Sequence, residues 1–378
     1  MSIVFRAQAS AISPDGKPLP PPVGNNSNDN VPLIIDCPRL PPREGAKSVQ
    51  DLRPDDIRLV MGIGDSVMAG FGAKGIVNNR FISLNTLKEN RGVSFAMGGD
   101  PGAMTVPNLI QYYSPNLLGS SVGDHMISIC FGDEICPKGQ YRESIDKMNA
   151  AQSGARSLNL DHEIDYLLER LDELYHDQQI QPTDWKLLTF FIGSNDICHS
   201  CTTPTSLPIP FAINAADAID RIRKSIRNVL VQVVGVMRVD EIFIETQAYP
   251  EYCQPFPRSS FVMHDHECEC AHSEANRTIM RTLTPQYNTA LESIVSRYPS
   301  NDTFAVVFQP LKMDVSSFPI QVISDVDCFH PSVVGHSWFA KELWQMMFLP
   351  SQQKQMTLKF NENAPIYCPT EADRFRVD

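Results

Sequence analysis

The segment Ile57-Arg58-Leu59-Val60-Met61-Gly62-Ile63-Gly64-Asp65-Ser66-Val67-Met68-Ala69-Gly70 joins a short apolar run to a Gly/Asp/Ser turn and then to small residues. An apolar run that ends in such a turn reads as strand, tight turn and helix start. That order lifts Ser66 to the carboxyl edge of a sheet and makes it a candidate nucleophile. An ordinary helix-capping turn has the same composition, so the chemistry depends on what else the chain brings to that edge.

Downstream, short apolar runs alternate with longer amphipathic ones, the pattern of a parallel sheet flanked by helices. Strands are predicted over 57–63, 185–192, 241–246 and 303–309, and helices over 162–175, 212–234, 279–297 and 333–348. In the first helix Ile164, Leu167, Leu168, Leu171 and Leu174 recur at three- and four-residue steps, leaving Glu169, Arg170 and Asp172 on the other face. Residues 1–50 read as a Pro/Asn-rich flexible leader with Cys37 as a tether, 51–350 as one globular domain, and 351–378 as a carboxyl-terminal extension. The irregular stretch 80–147 is an expected insertion near the active edge. Its Met97, Met104, Leu109, Leu117 and Leu118 suit either core packing or a lid over an acyl chain.

The 378 residues carry a formal charge of −12 and no cluster of Lys and Arg, which argues against a nucleic-acid partner. Ten cysteines predict up to five disulfides and an oxidising compartment. A zinc site is the rival: Cys198, Cys201, Cys268 and Cys270 lie near His199, His264, His266 and His272, although not at finger spacing. Sequons at Asn25, Asn276 and Asn301 agree with a secreted or cell-surface protein, while residues 1–10 lack the apolar region of a signal peptide. No run reaches the roughly eighteen apolar residues of a membrane span.

A serine hydroxyl attacks only when a base takes its proton and an acceptor holds that base in the right tautomer. Asp327-Cys328-Phe329-His330-Pro331-Ser332 offers both at the last predicted strand's edge, with the carboxylate three residues from the imidazole. The oxyanion also needs donors. Asn195, in Phe191-Ile192-Gly193-Ser194-Asn195-Asp196, supplies an amide, and Gly154, in Asn149-Ala150-Ala151-Gln152-Ser153-Gly154-Ala155, an unshielded N–H, with Gly99 as the rival. His199 is read as a loop residue and His336 as helix surface or packing.

Gly64-Asp65-Ser66, Asn149-x-Ala151-x-x-Gly154, Gly193-x-Asn195-Asp196 and Asp327-x-x-His330 together resemble the four blocks of the GDSL, or SGNH, hydrolases. Leu52-Arg53-Pro54, Gly98-Gly99-Asp100, Val106-Pro107-Asn108-Leu109, Asp184-Trp185-Lys186-Leu187 and Asp327-Cys328-Phe329-His330 resemble the phospholipase B branch, over about residues 37–370. Val67 stands where the motif has Leu, and Ser194 where a second Gly is common in the branch.

The resemblance implies a flavodoxin-like three-layer α/β/α sandwich with a mainly parallel sheet and no cofactor or metal. It also implies hydrolysis of phospholipid and lysophospholipid esters at a micelle or membrane surface. It makes Ser66 the nucleophile, His330 the base, Asp327 its orienter, and Ser66, Gly154 and Asn195 the oxyanion donors. The same machinery on acetylated sugars or other short esters is the alternative enzymatic reading. A non-catalytic extracellular binding protein is the alternative from another class.

Overall fold

The computed structural model describes residues 33, 35–76, 82–137, 139–253 and 260–378. Strands β1 (Ile57–Gly64), β2 (Trp185–Phe191), β3 (Val229–Val234) and β4 (Phe304–Gln309) form a parallel sheet in that order. β2 and β3 are buried throughout, so their apolar runs are continuous rather than alternating. The buried polar side chains within them bond to one another or to backbone, with Gln232 Oε1 left without a partner among the described residues. Gln232 donates to the Thr189 hydroxyl at 2.8 Å, and Lys186 Nζ donates to the carbonyls of Pro182, Asp184 and Arg227. Burial draws the Lys186 pKa down to about 8 against the pull of Asp184.

The insertion lies along the other edge of β1. Val60 N–H donates to Leu118 O at 3.0 Å and Gly62 N–H to Met148 O at 2.9 Å, while Ala150 N–H and Gln152 N–H return to the carbonyls of Gly62 and Gly64. These pairings are parallel, so β1 is an interior strand. The chain leaves β1 to one side and crosses to β2 on the other. The carboxyl end of β1 is therefore a topological switch point, where open α/β sheets leave a crevice. Of the insertion's apolar residues, Met97, Leu109 and Leu117 are buried in the core, with Met104 and Leu118 packed against it.

The helices used below are α1 (Ser66–Ala69), α2 (Val106–Tyr113), α3 (Leu160–His176), α4 (Ser194–His199), α5 (Pro208–Ser225), α6 (Val239–Thr246), α7 (Glu274–Val295) and α8 (Val333–Met346). α3, α5 and α7 pack side by side, α3 against β1 and α7 against β4, while α2 and α8 pack together as a separate set. Ile164, Leu167 and Leu171 are the buried face of α3. None of the helices among the described residues is long and apolar enough to cross a membrane.

Two sequence expectations are corrected. Residues 241–246 belong to helix α6, not a strand: Val239, Ile242, Phe243 and Thr246 are buried at helical spacing while Ile244 is exposed. The missing strand is β3, inside the expected helix 212–234. That helix ends at Ser225, and Asn228 turns the chain at φ 50° with its amide on Thr183 O before the Val-rich run begins. Asn tolerates this left-handed turn better than most residues.

Five disulfides join Cys37–Cys368, Cys130–Cys136, Cys198–Cys268, Cys201–Cys270 and Cys253–Cys328. The four cysteines of the zinc alternative are thereby all bonded to one another. Cys37 joins the two ends of the described chain, and Val49 and Phe375 are buried in the common core. The Pro-rich run 18–22 and Asn25 lie outside the described residues.

Candidate active site

Gly64 closes β1 against β2. A Cβ there would sit 2.2 Å from the Phe191 carbonyl oxygen, so no larger residue fits. Asp65 caps α1, its Oδ1 accepting Val67 N–H at 3.0 Å, which leaves Ser66 as the first helical residue at the switch point. Burial pushes the Asp65 carboxyl up to about 6, opposed by the neighbouring Ser194 and by the Val67 N–H it accepts.

The segment after β4 folds back over that edge. Asp327 Oδ1 accepts the N–H groups of Phe329 and His330 at 3.0 and 3.1 Å, and Ser324 N–H donates to His330 O at 2.8 Å. The Cys253–Cys328 disulfide holds the same turn. His330 Nδ1 lies 2.5 Å from Asp327 Oδ2, and Nε2 lies 2.6 Å from Ser66 Oγ. The three side chains are buried, and the Phe71 and Phe329 rings meet the imidazole edge-on at 5.1 Å each. Burial by itself lowers the His330 pKa, but Asp327, with Glu267 and Asp65 behind it, carries it up to about 9.

Asn195 stands in the first turn of α4. Its Nδ2 donates to Ala155 O at 3.0 Å, and Asp196 beside it accepts both the N–H and the hydroxyl of Ser157. The turn carrying Gly154, at φ 84°, is thus bound to the helix carrying Asn195. The N–H groups of Ser66 and Gly154 have no hydrogen-bond partner among the described residues, whereas Gly99 donates its N–H to Ser121 O at 2.7 Å. An Asn amide carries two hydrogens, so Asn195 retains one.

A buried charge network supports this turn from the insertion. Arg91, between Glu89 at 2.6 Å and Asp146 at 3.2 Å, also donates to Asn149 O. Glu89 Oε1 accepts the Ser153 hydroxyl at 2.6 Å, next to Gly154.

One residue at the site was absent from the sequence reading. Glu267, from the short helix His264–Glu267, puts a carboxylate oxygen 4.0 Å from His330 Nδ1. Burial first, then Asp327, pushes its carboxyl up to about 8. It lies sixty residues from Asp327 and farther still from Ser66, and no local motif marks it. His199 and His336 make no hydrogen bond to Ser66 or Asp327 among the described residues. His199 ends α4, correcting its reading as a loop residue, with Nδ1 on Asn195 O; His336 is packed inside α8 and accepts Phe95 N–H.

The arrangement can deprotonate a serine hydroxyl next to free N–H donors, which is the equipment of acyl transfer. Residues 60–343 match the family model described as GDSL-like Lipase/Acylhydrolase. The chain belongs to that family. Its members are carboxylic ester hydrolases, and this chain is one. Among curated proteins, this GDSL-like chain is 30% identical over 358 residues to Phospholipase B1, membrane-associated, of Mus musculus, covering 90% of this chain and 22% of that protein. It is 26% identical to the Homo sapiens protein of the same name, over 89% of this chain and 22% of that one. The chain thus spans about a fifth of the length of these relatives. Among solved structures, an extracellular lipase from Streptomyces rimosus is 13% identical with a TM-score of 0.31, over 74% of this chain and 95% of that one. A catalytic mutant of an acetylxylan esterase from Geobacillus stearothermophilus is 14% identical with a TM-score of 0.35, over 81% and 96%. Likenesses at that level decide neither fold nor substrate.

Proposed function

We propose that this GDSL-family chain releases fatty acids from glycerophospholipids and lysophospholipids through an acyl-enzyme. The observation that carries the mechanism is the bridging of Ser66 and Asp327 by the two ring nitrogens of His330. Ser66 Oγ attacks the ester carbonyl carbon as His330 Nε2 takes its proton, and Asp327 steadies the imidazolium. The oxyanion is received by the N–H of Ser66, the N–H of Gly154 and the second amide hydrogen of Asn195. Collapse breaks the ester bond, and His330 returns its proton to the leaving alkoxide. Water, deprotonated by the same imidazole, then attacks the acyl-enzyme and frees the carboxylate.

The substrate class is supported by the relatives named Phospholipase B1, and the setting by five disulfides, which suit a secreted or cell-surface protein. The test is hydrolysis by purified protein of a diacyl phospholipid, a lysophospholipid, a triacylglycerol and an acetyl ester, with Ser66→Ala alongside. Release of long acyl chains from the two phospholipids that depends on Ser66 is expected. Turnover confined to the acetyl ester would reassign the substrate, and none on any of them would overturn the phospholipid reading.

A further inference from the structure

Behind the segments that carry Ser66, Asn195 and His330 lies a cavity of about 500 Å³. Each segment turns a neighbour of its site residue into the wall: Val67, Ser194, and Phe329 with Pro331. Neither Ser66 nor His330 lines it. The facing wall is mainly apolar, with Val236 after β3, Ile242 on α6, and Leu311 and Phe318 after β4, and α7 adds Thr284, Asn288 and Thr289. The volume falls within the usual range of small-molecule sites.

The rim is charged. Arg238 is committed to Asp240 at 2.8 Å and Glu241 at 2.9 Å, and Asp314 accepts the Ser316 hydroxyl at 2.6 Å. Lys312 donates to Gln355 Oε1 at 2.6 Å and makes no ion pair among the described residues. Glu292, the remaining rim acid, is exposed and solvated. The rim thus presents one cation uncommitted to a carboxylate, over a mainly apolar interior. That is the complement of an alkyl chain with an anionic head.

We propose that this cavity is a second lipid site, separate from the reacting crevice, which holds a long-chain fatty acid with its tail against Val67 and Phe329 and its carboxylate at Lys312. The choice of ligand rests on the esterase reading above, since a fatty acid is what hydrolysis would release; the cavity and its rim do not. A bound tail touches the residues adjoining the nucleophile and the base. The product would therefore be sensed from behind the site.

The test is titration of the fluorescent fatty acid cis-parinarate into Ser66→Ala protein and into protein whose Ser66 carries a long-chain phosphonate. One saturable site per chain is expected in both, displaced by oleate. Lys312→Glu, on the exposed rim, should weaken parinarate at least fivefold and leave hexadecanol binding unchanged. Ile242→Trp should fill the cavity and abolish both; melting temperatures report whether each variant folds. Absence of saturable binding, loss of binding on phosphonate labelling, unchanged affinity in Lys312→Glu, or displacement by lysophosphatidylcholine but not by oleate would each overturn the proposal. Whether phospholipid esters are the substrate is read separately, from Ser66-dependent hydrolysis.

Discussion

Glu267 sets a carboxylate oxygen 4.0 Å from Nδ1 of His330, the nitrogen that Asp327 already holds at 2.5 Å. Two acids therefore converge on one imidazole, with Asp65 acting on the ring from the β1–α1 turn and buried His336 standing behind it on α8. His264, from the same short helix as Glu267, faces Asp327.

Activity should rise toward alkaline pH, and Glu267 should set part of that dependence. His330 can accept the Ser66 proton only as neutral imidazole, and its pKa stands at about 9 despite burial, because of Asp327, Glu267 and Asp65. Glu267, pushed up to about 8 by burial and Asp327, ionises on the lower part of that limb and so holds the imidazole proton over its upper part. Glu267→Gln removes one negative neighbour, lowers the imidazole pKa, and moves the acid limb of kcat/KM to lower pH by about one unit. The pH profiles of the two proteins decide it; a limb that stays in place would mean that Glu267 does not act on the ring.

Ser66→Ala and Asn195→Ala should separate nucleophile from oxyanion donor. The first is expected to lower kcat by roughly 10⁴-fold or more, and the second by about 10²–10³-fold. Because Asn195 also holds Ala155 O at 3.0 Å, the melting temperature of Asn195→Ala is measured alongside, which separates loss of that bond from loss of the oxyanion donor. Single-turnover measurement of acylation tests both, and an Asn195→Ala enzyme with full acylation rate would remove that residue from the hole.

The Cys253–Cys328 disulfide closes a 75-residue separation beside Asp327. Replacing both cysteines by serine should cost about 4 kcal/mol by loop entropy. Activity should fall further than the loss of folded protein explains, since the freed turn carries Asp327 and His330. Thermal unfolding and activity at a temperature where both proteins remain folded give the two quantities; equal activity per folded molecule would show the turn is held without the bond.

Arg91 pairs with Glu89 and Asp146 in a buried network that His125 also joins. Arg91→Met leaves two buried carboxylates with His125 as their remaining cationic partner among the described residues and should destabilise the protein by about 3 kcal/mol. Through Glu89 and Ser153 the loss reaches the Gly154 turn, so kcat should drop while KM changes little. Denaturant unfolding beside steady-state kinetics checks both parts. Unchanged kcat per folded molecule would detach the network from the site.

What was legible in the sequence was whatever is local along the chain. The strand-turn-helix that raises Ser66, the three-residue step from Asp327 to His330, and the stripe of α3 are set by neighbours within a few residues, and the structure places each at the expected edge or face. Where local signals were ambiguous the reading failed. A short run such as 241–246 is apolar enough for either strand or helix, and the Val-rich β3 follows α5 with no Gly or Pro to part them.

The rest depended on residues far apart in sequence meeting in space. That β1 is an interior strand, and its end a crevice, follows from backbone bonds to Leu118 and Met148, which no period in the sequence records. The disulfide pairing, the passage of charge from Arg91 to the Gly154 turn, and the cavity behind Val67 and Phe329 have the same origin. By itself the sequence marked the candidate side chains, Ser66 in its turn and Asp327 three residues before His330, because such short spacings are set by local backbone geometry. Only the tertiary structure decided that Glu267 shares His330 with Asp327, because burial and charge at a ring nitrogen depend on every element packed around it.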